Sequence, residues 1–217
     1  MDLSQGMVQI SVLALPVLFA ITLHEAAHGY VARHFGDLTA HQAGRISLNP
    51  LRHIDPIGTV LVPLLMFLTA GFLFGWAKPV PVNFARLRHP KKDMLWVALA
   101  GPAANLFMAV LWILISKVAL QSAGGTAGAW FYAMAQAGIM INVVLMVLNL
   151  IPLPPLDGGR IAVSLLPQPY AYRFAKIEPY GMIILIVLLM LEFSSEGGLI
   201  LYPLVQMSIK LLLSLFG

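Results

Sequence analysis

The sequence predicts an all-α polytopic membrane protein, with about five transmembrane helices, one re-entrant apolar segment and a short extended edge strand. Hydrophobic residues make up 59% of the 217 residues, and charged residues only 10%, against roughly a quarter in soluble domains. Apolar stretches long enough to span a bilayer recur along the chain. No repeat or low-complexity linker divides it, so we expect a single integral-membrane domain over residues 1–217.

Six apolar stretches are the candidate membrane segments. The shortest is a marginal span, but Pro179 suits a helix start and the sequence SSEGG at 194–198 suits a turn after it. We therefore expect a core over about 7–160 and a C-terminal helical hairpin over about 178–217. The stretches cover approximately residues 7–32, 57–75, 94–120, 129–151, 180–192 and 198–216.

The polar stretch GWAKPVPVN (75–83) is predicted to be extended. Pro79 and Pro81 alternate in it, which excludes a helix and also excludes a central strand. It can form an edge strand at most. Since only one edge keeps its N–H donors, we expect that edge to hold an unwound substrate segment by strand addition, the alternative being an interfacial loop.

The sequence HEAAH lies near the end of the first apolar stretch. His24 and His28 are four residues apart on a predicted helix, so both imidazoles can reach one zinc ion. Glu25 projects beside them, where it can take a proton from water without ligating the metal. Ionisable groups at membrane depth are costly, which favours a functional cluster over a polar patch facing other helices or a water-filled cleft.

A catalytic zinc ion needs a third protein ligand, which must be His, Asp or Glu because the chain has no cysteine. We expect it to be Asp157, which follows a proline-rich helix end and precedes two glycines that allow a tight turn. A lone Asp-Gly is usually only a turn. His34 is a weaker candidate because it lies about 15 Å along the helix axis from His24 and off the ligand face. His53 is a weak candidate for the edge of the site.

Three motifs together resemble the site-2 protease family of intramembrane zinc metalloproteases: HEAAH, AGPAAN (100–105) and NLIPLPPLDGG (149–159). The resemblance implies that His24, His28 and Asp157 are the zinc ligands, that Glu25 is the catalytic base, and that Asn149 lies near the reacting carbonyl. Unlike many members, this chain has only a short link at 121–128 where a PDZ domain is often inserted. Asn105 is expected to serve helix packing, whereas Asn149 could donate to the oxyanion.

These observations predict an intramembrane zinc metalloendopeptidase with one Zn²⁺ per chain. Its expected partners are the lipid bilayer and transmembrane protein substrates, which it would cleave within or next to their membrane segments. The formal charge of +4 is too small to indicate nucleic-acid binding. The alternative is a membrane zinc-binding or transport protein without proteolysis, but the paired broken helices and acidic route of a transporter are not evident.

The segment 57–75 is predicted to enter and leave the membrane on one side. His24 lies about 26 Å along a helix that starts near Met7, and Asp157 follows the C-terminal end of its own helix. The ligands can meet only if the two helices run the same way, which a single crossing by 57–75 would prevent. The Lys and Arg residues between 33 and 92 and between 160 and 176 then share one side, which predicts a multi-pass cell-membrane protein with its site toward the cytoplasm.

Overall fold

The computed structural model describes residues 3–62, 65–66, 75–121, 125–195 and 198–217. Its described part is helical, with no β-strand, and three helices are long and apolar enough to cross a membrane. The α-helices are α1 (Leu3–His34), α2 (Thr39–Gln42), α3 (Pro90–Gln121), α4 (Thr126–Leu150), α5 (Asp157–Leu165), α6 (Gln168–Ala175), α7 (Glu178–Ser194) and α8 (Leu201–Phe216).

The three spanning helices are Met7–His34 of α1, α3 and α4. They correspond to three of the predicted spans. α6 and α7 form a bent pair with an angle of 63° that would count as a fourth span, whereas α8 is a shorter apolar helix of 16 residues. The structure thus confirms an all-helical protein with three to four candidate membrane spans.

The core lies between α3 and α4, where Trp112 and Ile113 pack with Ile139 and Val143, all of them buried. Gly138 is needed at this contact, because a Cβ atom there would lie 2.3 Å from the Trp112 ring. Side chains from α1 and α8 pack against the same cluster. Most large residues facing away from it are exposed apolar groups, as expected for helix surfaces in contact with lipid.

The connection between α1 and α3 begins and ends at one place. The N–H of Arg88, just before α3, donates to the carbonyl of Phe35, just after α1, over 2.9 Å. Within this connection Pro50–His53 and Phe84–Arg86 form 3₁₀ turns. Pro56–Leu61 forms a π-helical turn capped by the side chain of Asp55. Residues 63–64 and 67–74, which carry most of the predicted re-entrant segment, lie outside the described residues.

The segment 75–83 is non-helical, as its prolines predict, but it forms no strand among the described residues. Its backbone groups pair individually with different partners. Trp76 N–H donates to Gly58 O and Lys78 N–H donates to His53 O, over 3.0 and 2.8 Å. The guanidinium of Arg45 donates to the carbonyl of Lys78 over 3.0 Å. Irregular pairing of this kind keeps the segment against the rest of the connection without a ladder.

Candidate metal centre

Helix α1 presents two histidines on one face, one turn apart. His24 and His28 are 7% and 9% exposed, and their Nε2 atoms lie 3.1 Å from each other. The spacing of four residues places both rings on the side of α1 that faces α3 and α4. The apolar residues before them on α1 explain why the pair lies at the end of a membrane-spanning helix rather than on a polar surface.

Asp157 is the first residue of α5, directly after the proline-rich turn. Its Oδ2 atom lies 3.2 Å from His24 Nε2 and 3.3 Å from His28 Nε2. The turn that brings it there has no space for side chains at the next two positions. A Cβ atom at Gly158 would lie 2.3 Å from the carbonyl oxygen of Ile151, and one at Gly159 would lie 2.3 Å from the backbone nitrogen of Pro154.

The second nitrogen of each imidazole identifies its tautomer. His24 Nδ1 lies 2.6 Å from Asn105 Oδ1, and His28 Nδ1 lies 2.7 Å from the carbonyl oxygen of Val97. Both partners are acceptors, so each Nδ1 carries the proton and each Nε2 presents a lone pair. Asp157 Oδ2 is buried and receives no hydrogen bond. With both Nε2 atoms unprotonated, three lone pairs converge, and a metal cation could bind among them.

The ligand separations fit zinc. With Zn–N and Zn–O bonds of about 2.0–2.1 Å in a tetrahedron, two ligand atoms lie about 3.3–3.4 Å apart. The three observed separations are 3.1, 3.2 and 3.3 Å. Two imidazoles and one carboxylate match the three-ligand set typical of catalytic zinc sites, in which a fourth position is left for water or substrate.

Gly101 on α3 leaves the space that the site needs. A Cβ atom at this position would lie 2.4 Å from His28 Nε2 and 2.6 Å from His24 Nε2. Any other residue would place carbon against the Nε2 atoms of both histidines. The glycine of AGPAAN thus allows α3 to pass directly behind the ligand pair.

Two buried amides lie behind His24. Asn105 Nδ2 donates to the carbonyl of Ala20 over 3.2 Å and to Asn142 Oδ1 over 3.0 Å. Asn142 Nδ2 in turn donates to the carbonyl of Gly138 over 2.8 Å. Both amides are fully buried. Asn105 thus contributes more than the helix packing expected of it, because its Oδ1 accepts from Nδ1 of His24.

Glu25 lies beside the ligands and is half-buried. Its Oε2 atom accepts a hydrogen bond of 2.7 Å from the backbone N–H of Val80, in the extended segment 75–83. Val80 is buried and its side chain lies near Gly29, where an added Cβ would approach Val80 Cγ1 to 3.2 Å. The segment therefore contacts α1 at the glutamate and one turn beyond it.

Asp37 holds the other end of this segment. Its carboxylate accepts hydrogen bonds from the N–H and hydroxyl of Thr39 and from the N–H of Asn83, over 3.0, 2.5 and 2.7 Å. Burial by itself would raise the pKa of Asp37, but these hydrogen bonds and the positive charge of Arg86 lower the pKa below its usual value. The charged form of Asp37 therefore stabilises the arrangement that places Val80 beside Glu25.

The other candidate residues bond to or contact partners outside the group His24, His28 and Asp157. Asn149 is half-buried on α4 and its amide donates to the carbonyl of Leu145 over 3.0 Å. His34 is exposed and contacts Phe35. His53 is buried, but its ring bonds to the carbonyl of Ser47. Asn142 has no motif of its own, so the sequence did not single it out.

Comparisons with known proteins agree with this site. The model of peptidase family M50 matches residues 116–191. The chain is 37% identical over 211 residues to YwhC of Bacillus subtilis, described as a candidate zinc metalloprotease, with 94% of this chain and 90% of YwhC covered. It is 33% identical over 178 residues to Rip2 of Mycolicibacterium smegmatis, described likewise, with 79% of this chain and 64% of Rip2 covered.

A more distant relative is the zinc metalloprotease MJ0392 of Methanocaldococcus jannaschii, which is 25% identical over 162 residues, covering 75% of this chain and 36% of its own length. No solved structure matches the chain at a significant level. The family model includes Asp157, and the alignment with YwhC extends over almost the whole of both chains. The chain belongs to peptidase family M50, the site-2 protease family of intramembrane zinc metalloproteases.

Proposed function

We propose that this protein is an intramembrane zinc endopeptidase that hydrolyses peptide bonds within or next to the transmembrane segments of other membrane proteins. The observation that carries the proposal is the convergence of His24 Nε2, His28 Nε2 and Asp157 Oδ2 beside Glu25, at the end of a membrane-spanning helix. A site that only stored or passed zinc would not need a carboxylate held beside the ligands but outside the ligand set.

The residues divide the chemistry between them. His24, His28 and Asp157 would hold one zinc ion per chain, which when bound supplies the Lewis acidity that polarises a carbonyl and lowers the pKa of water. Glu25 accepts the proton of the attacking water and passes it to the departing amine nitrogen. The peptide C–N bond then breaks and releases a neutral amine. Val80 N–H fixes one carboxylate oxygen of Glu25 and leaves the other free for this transfer.

Asn149 is proposed to donate to the oxyanion that forms when water attacks the carbonyl. An amide nitrogen has two hydrogens, and the bond to Leu145 O uses one of them. The second hydrogen is available to a substrate. Asn149 is also one residue before the end of α4, on the side from which the chain turns to Asp157.

The connection between α1 and α3 supports the proposed membrane topology. A connection whose ends are joined by a hydrogen bond between Arg88 and Phe35 crosses the membrane an even number of times. This supports a re-entrant 57–75 and five crossings, by α1, α3, α4, α7 and α8. Basic residues concentrate on the side of this connection, which favours a cytoplasmic site in the cell membrane.

Substrate pairing with segment 75–83 remains part of the proposal, with one change. The N–H groups of Lys78 and Val80 are already bonded to His53 O and Glu25, so neither is free to pair with a substrate. In an extended chain the N–H of Val82 points to the same side as that of Val80. Among the described residues Val82 N–H has no partner, so it is the donor that an unwound substrate segment would find.

The deciding experiment uses purified protein in detergent with a panel of single-span substrate proteins. We expect cleavage near the membrane segment, which a chelator stops and added zinc restores. The transport alternative is tested in the same preparation after reconstitution into vesicles. Zinc uptake without cleavage of any substrate would favour the transporter and overturn the proposal.

Topology can be tested separately because the chain contains no cysteine. Single cysteines replacing the exposed residues His41, Lys92 and Lys117 can be labelled with a membrane-impermeant thiol reagent. We expect His41 and Lys92 positions to react from one face and the Lys117 position from the other. Labelling of the first two from opposite faces would contradict the re-entrant arrangement.

A further inference from the structure

The two amides behind His24 form a chain whose direction is determined at its far end. The carbonyl of Gly138 can only accept, so the amide group that faces it must be Nδ2 of Asn142. Asn142 must then turn Oδ1 toward Asn105. Asn105 Nδ2 donates to this oxygen and to the carbonyl of Ala20. Its own Oδ1 is therefore turned toward His24.

This direction decides which ring nitrogen of His24 is protonated. An Oδ1 atom beside Nδ1 accepts a hydrogen bond, so the proton lies on Nδ1 and the Nε2 lone pair faces His28 and Asp157. In the other tautomer a proton on Nε2 would point into the cluster and exclude a metal ion. Flipping the two side-chain amides would place N–H groups against N–H groups, or oxygens against carbonyl oxygens, in a fully buried environment, which is costly.

We propose that Asn105 and Asn142 are positioning residues that fix the tautomer of His24, and that zinc affinity depends on them although neither is a metal ligand. The inference rests on the proposed zinc site and adds to it the residues that set its affinity. Asn142 acts two side chains away from the ligand, through Asn105. Outer partners of metal-bound histidines are worth about 10–100-fold in metal affinity.

The two histidines differ in how they are held. His28 Nδ1 donates to the backbone carbonyl of Val97, which no side-chain substitution removes. His24 depends on a side chain. The tautomer of His28 is therefore an internal control for the fold, whereas that of His24 reports on the amides.

The test uses the full-length protein, with zinc affinity measured by competition against a chromogenic chelator. For Asn105→Leu, which has a similar volume but no acceptor, we expect zinc affinity to fall by about 10–100-fold. For Asn142→Leu we expect a smaller loss, of roughly 3–10-fold, because Ala20 O still holds Asn105. Asn142→Asp should keep near-native zinc affinity, because a buried, protonated Asp can donate to the carbonyl of Gly138 and accept from Asn105 Nδ2.

A second readout is the ¹⁵N chemical shift of the imidazoles in metal-free protein, which distinguishes the two tautomers. We expect His24 to leave the Nδ1–H form in Asn105→Leu while His28 stays in it. Ser116→Ala, which removes a buried hydroxyl from the same helix away from the site, is the matched control and should change neither measurement.

The outcomes separate this inference from the proposed function. Native zinc affinity together with an unchanged His24 tautomer in Asn105→Leu would overturn the inference, and the same result in Asn142→Leu would remove Asn142 from it. Absence of zinc binding by the unsubstituted protein would instead refute the proposed metal site itself. A loss of the His28 tautomer signature as well would show a structural role, and would also count against positioning.

Discussion

Replacing Gly101 with alanine should abolish zinc binding by adding a single methyl group. The added carbon would lie 2.4 Å from His28 Nε2 and 2.5 Å from His24 Cε1, whereas ordinary contact begins at 3.4 Å. One or both rings must therefore retreat by about 1 Å, which is several times the tolerance of about 0.2 Å in zinc–ligand distances. The nitrogens are also displaced from Asp157, so all three ligands lose their common centre.

The sign of the stability change makes this prediction specific. An exposed glycine inside a helix is destabilising by about 1 kcal/mol relative to alanine, so helix propensity alone predicts a more stable protein. We expect the opposite near the site, because the methyl group must fit against two buried rings. Zinc affinity should fall by at least ~100-fold, the upper end of losses seen when the partners of a ligand are disturbed.

The assay combines metal analysis of purified Gly101→Ala with thermal unfolding in detergent, with and without chelator. Gly125→Ala is the matched control, since no atom lies within 4 Å of a Cβ there. Gly125→Ala should bind zinc normally, and its thermal stability should fall when the chelator removes the zinc. If Gly101→Ala retains one zinc ion per chain and the chelator-sensitive stability of the unsubstituted protein, the reasoning about space at the site is refuted.

Three further predictions test the rest of the site. Glu25→Gln should retain zinc and lose cleavage by at least ~100-fold, whereas Asp157→Ala should lose both zinc and cleavage. Cleavage by Glu25→Gln would exclude Glu25 as the base, and full zinc content in Asp157→Ala would exclude Asp157 as a ligand. Val80→Pro removes the N–H that holds Glu25 and should lower kcat with zinc retained, while Val82→Pro should raise KM for a transmembrane substrate; equal kinetics in both variants would contradict this division. Because the pKa of Asp37 is lowered in the folded state, its charged form stabilises the fold above the unfolded-state pKa, near 4, and this stability is lost as pH falls through the folded-state pKa. Asp37→Asn should therefore lower the unfolding temperature at neutral pH and remove this acid-dependent loss. Thermal unfolding measured from pH 7 to pH 3 would show both effects.

Local patterns predicted the part of the site that lies on one helix. His24 and His28 are four residues apart, and helix geometry places residues with that spacing on one face whatever the remainder of the fold does. Asp157 required more, because it lies 129 residues after His28 in the sequence. It could be chosen because the chain has no cysteine, because Asp157 follows a proline-rich helix end and precedes two glycines, and because a metal site with two ligands is incomplete.

The residues that the sequence could not identify are those whose role arises only when separate helices meet. Asn142 lies in an apolar stretch of α4, and nothing nearby indicates that its partner is Asn105 on α3. Val80 acts through its backbone, which is the same for every residue except proline, so its side chain carries no signal. Gly101 was part of a recognised motif, but only the packing of α3 on α1 shows that the absent Cβ makes room for the metal ligands.

The same packing explains why the proposed ligands come from two different kinds of position. A histidine in the middle of a helix is neutral in its Nδ1–H form and can be buried if one acceptor is supplied, as Asn105 and Val97 supply it here. A carboxylate is charged and costs more to bury. Asp157 lies at the N-terminus of α5, where the unpaired backbone N–H groups and the helix dipole favour negative charge. The proline-rich turn therefore ends α4 and also orients the N-terminus of α5, with its partial positive charge, toward the position of the Asp157 carboxylate.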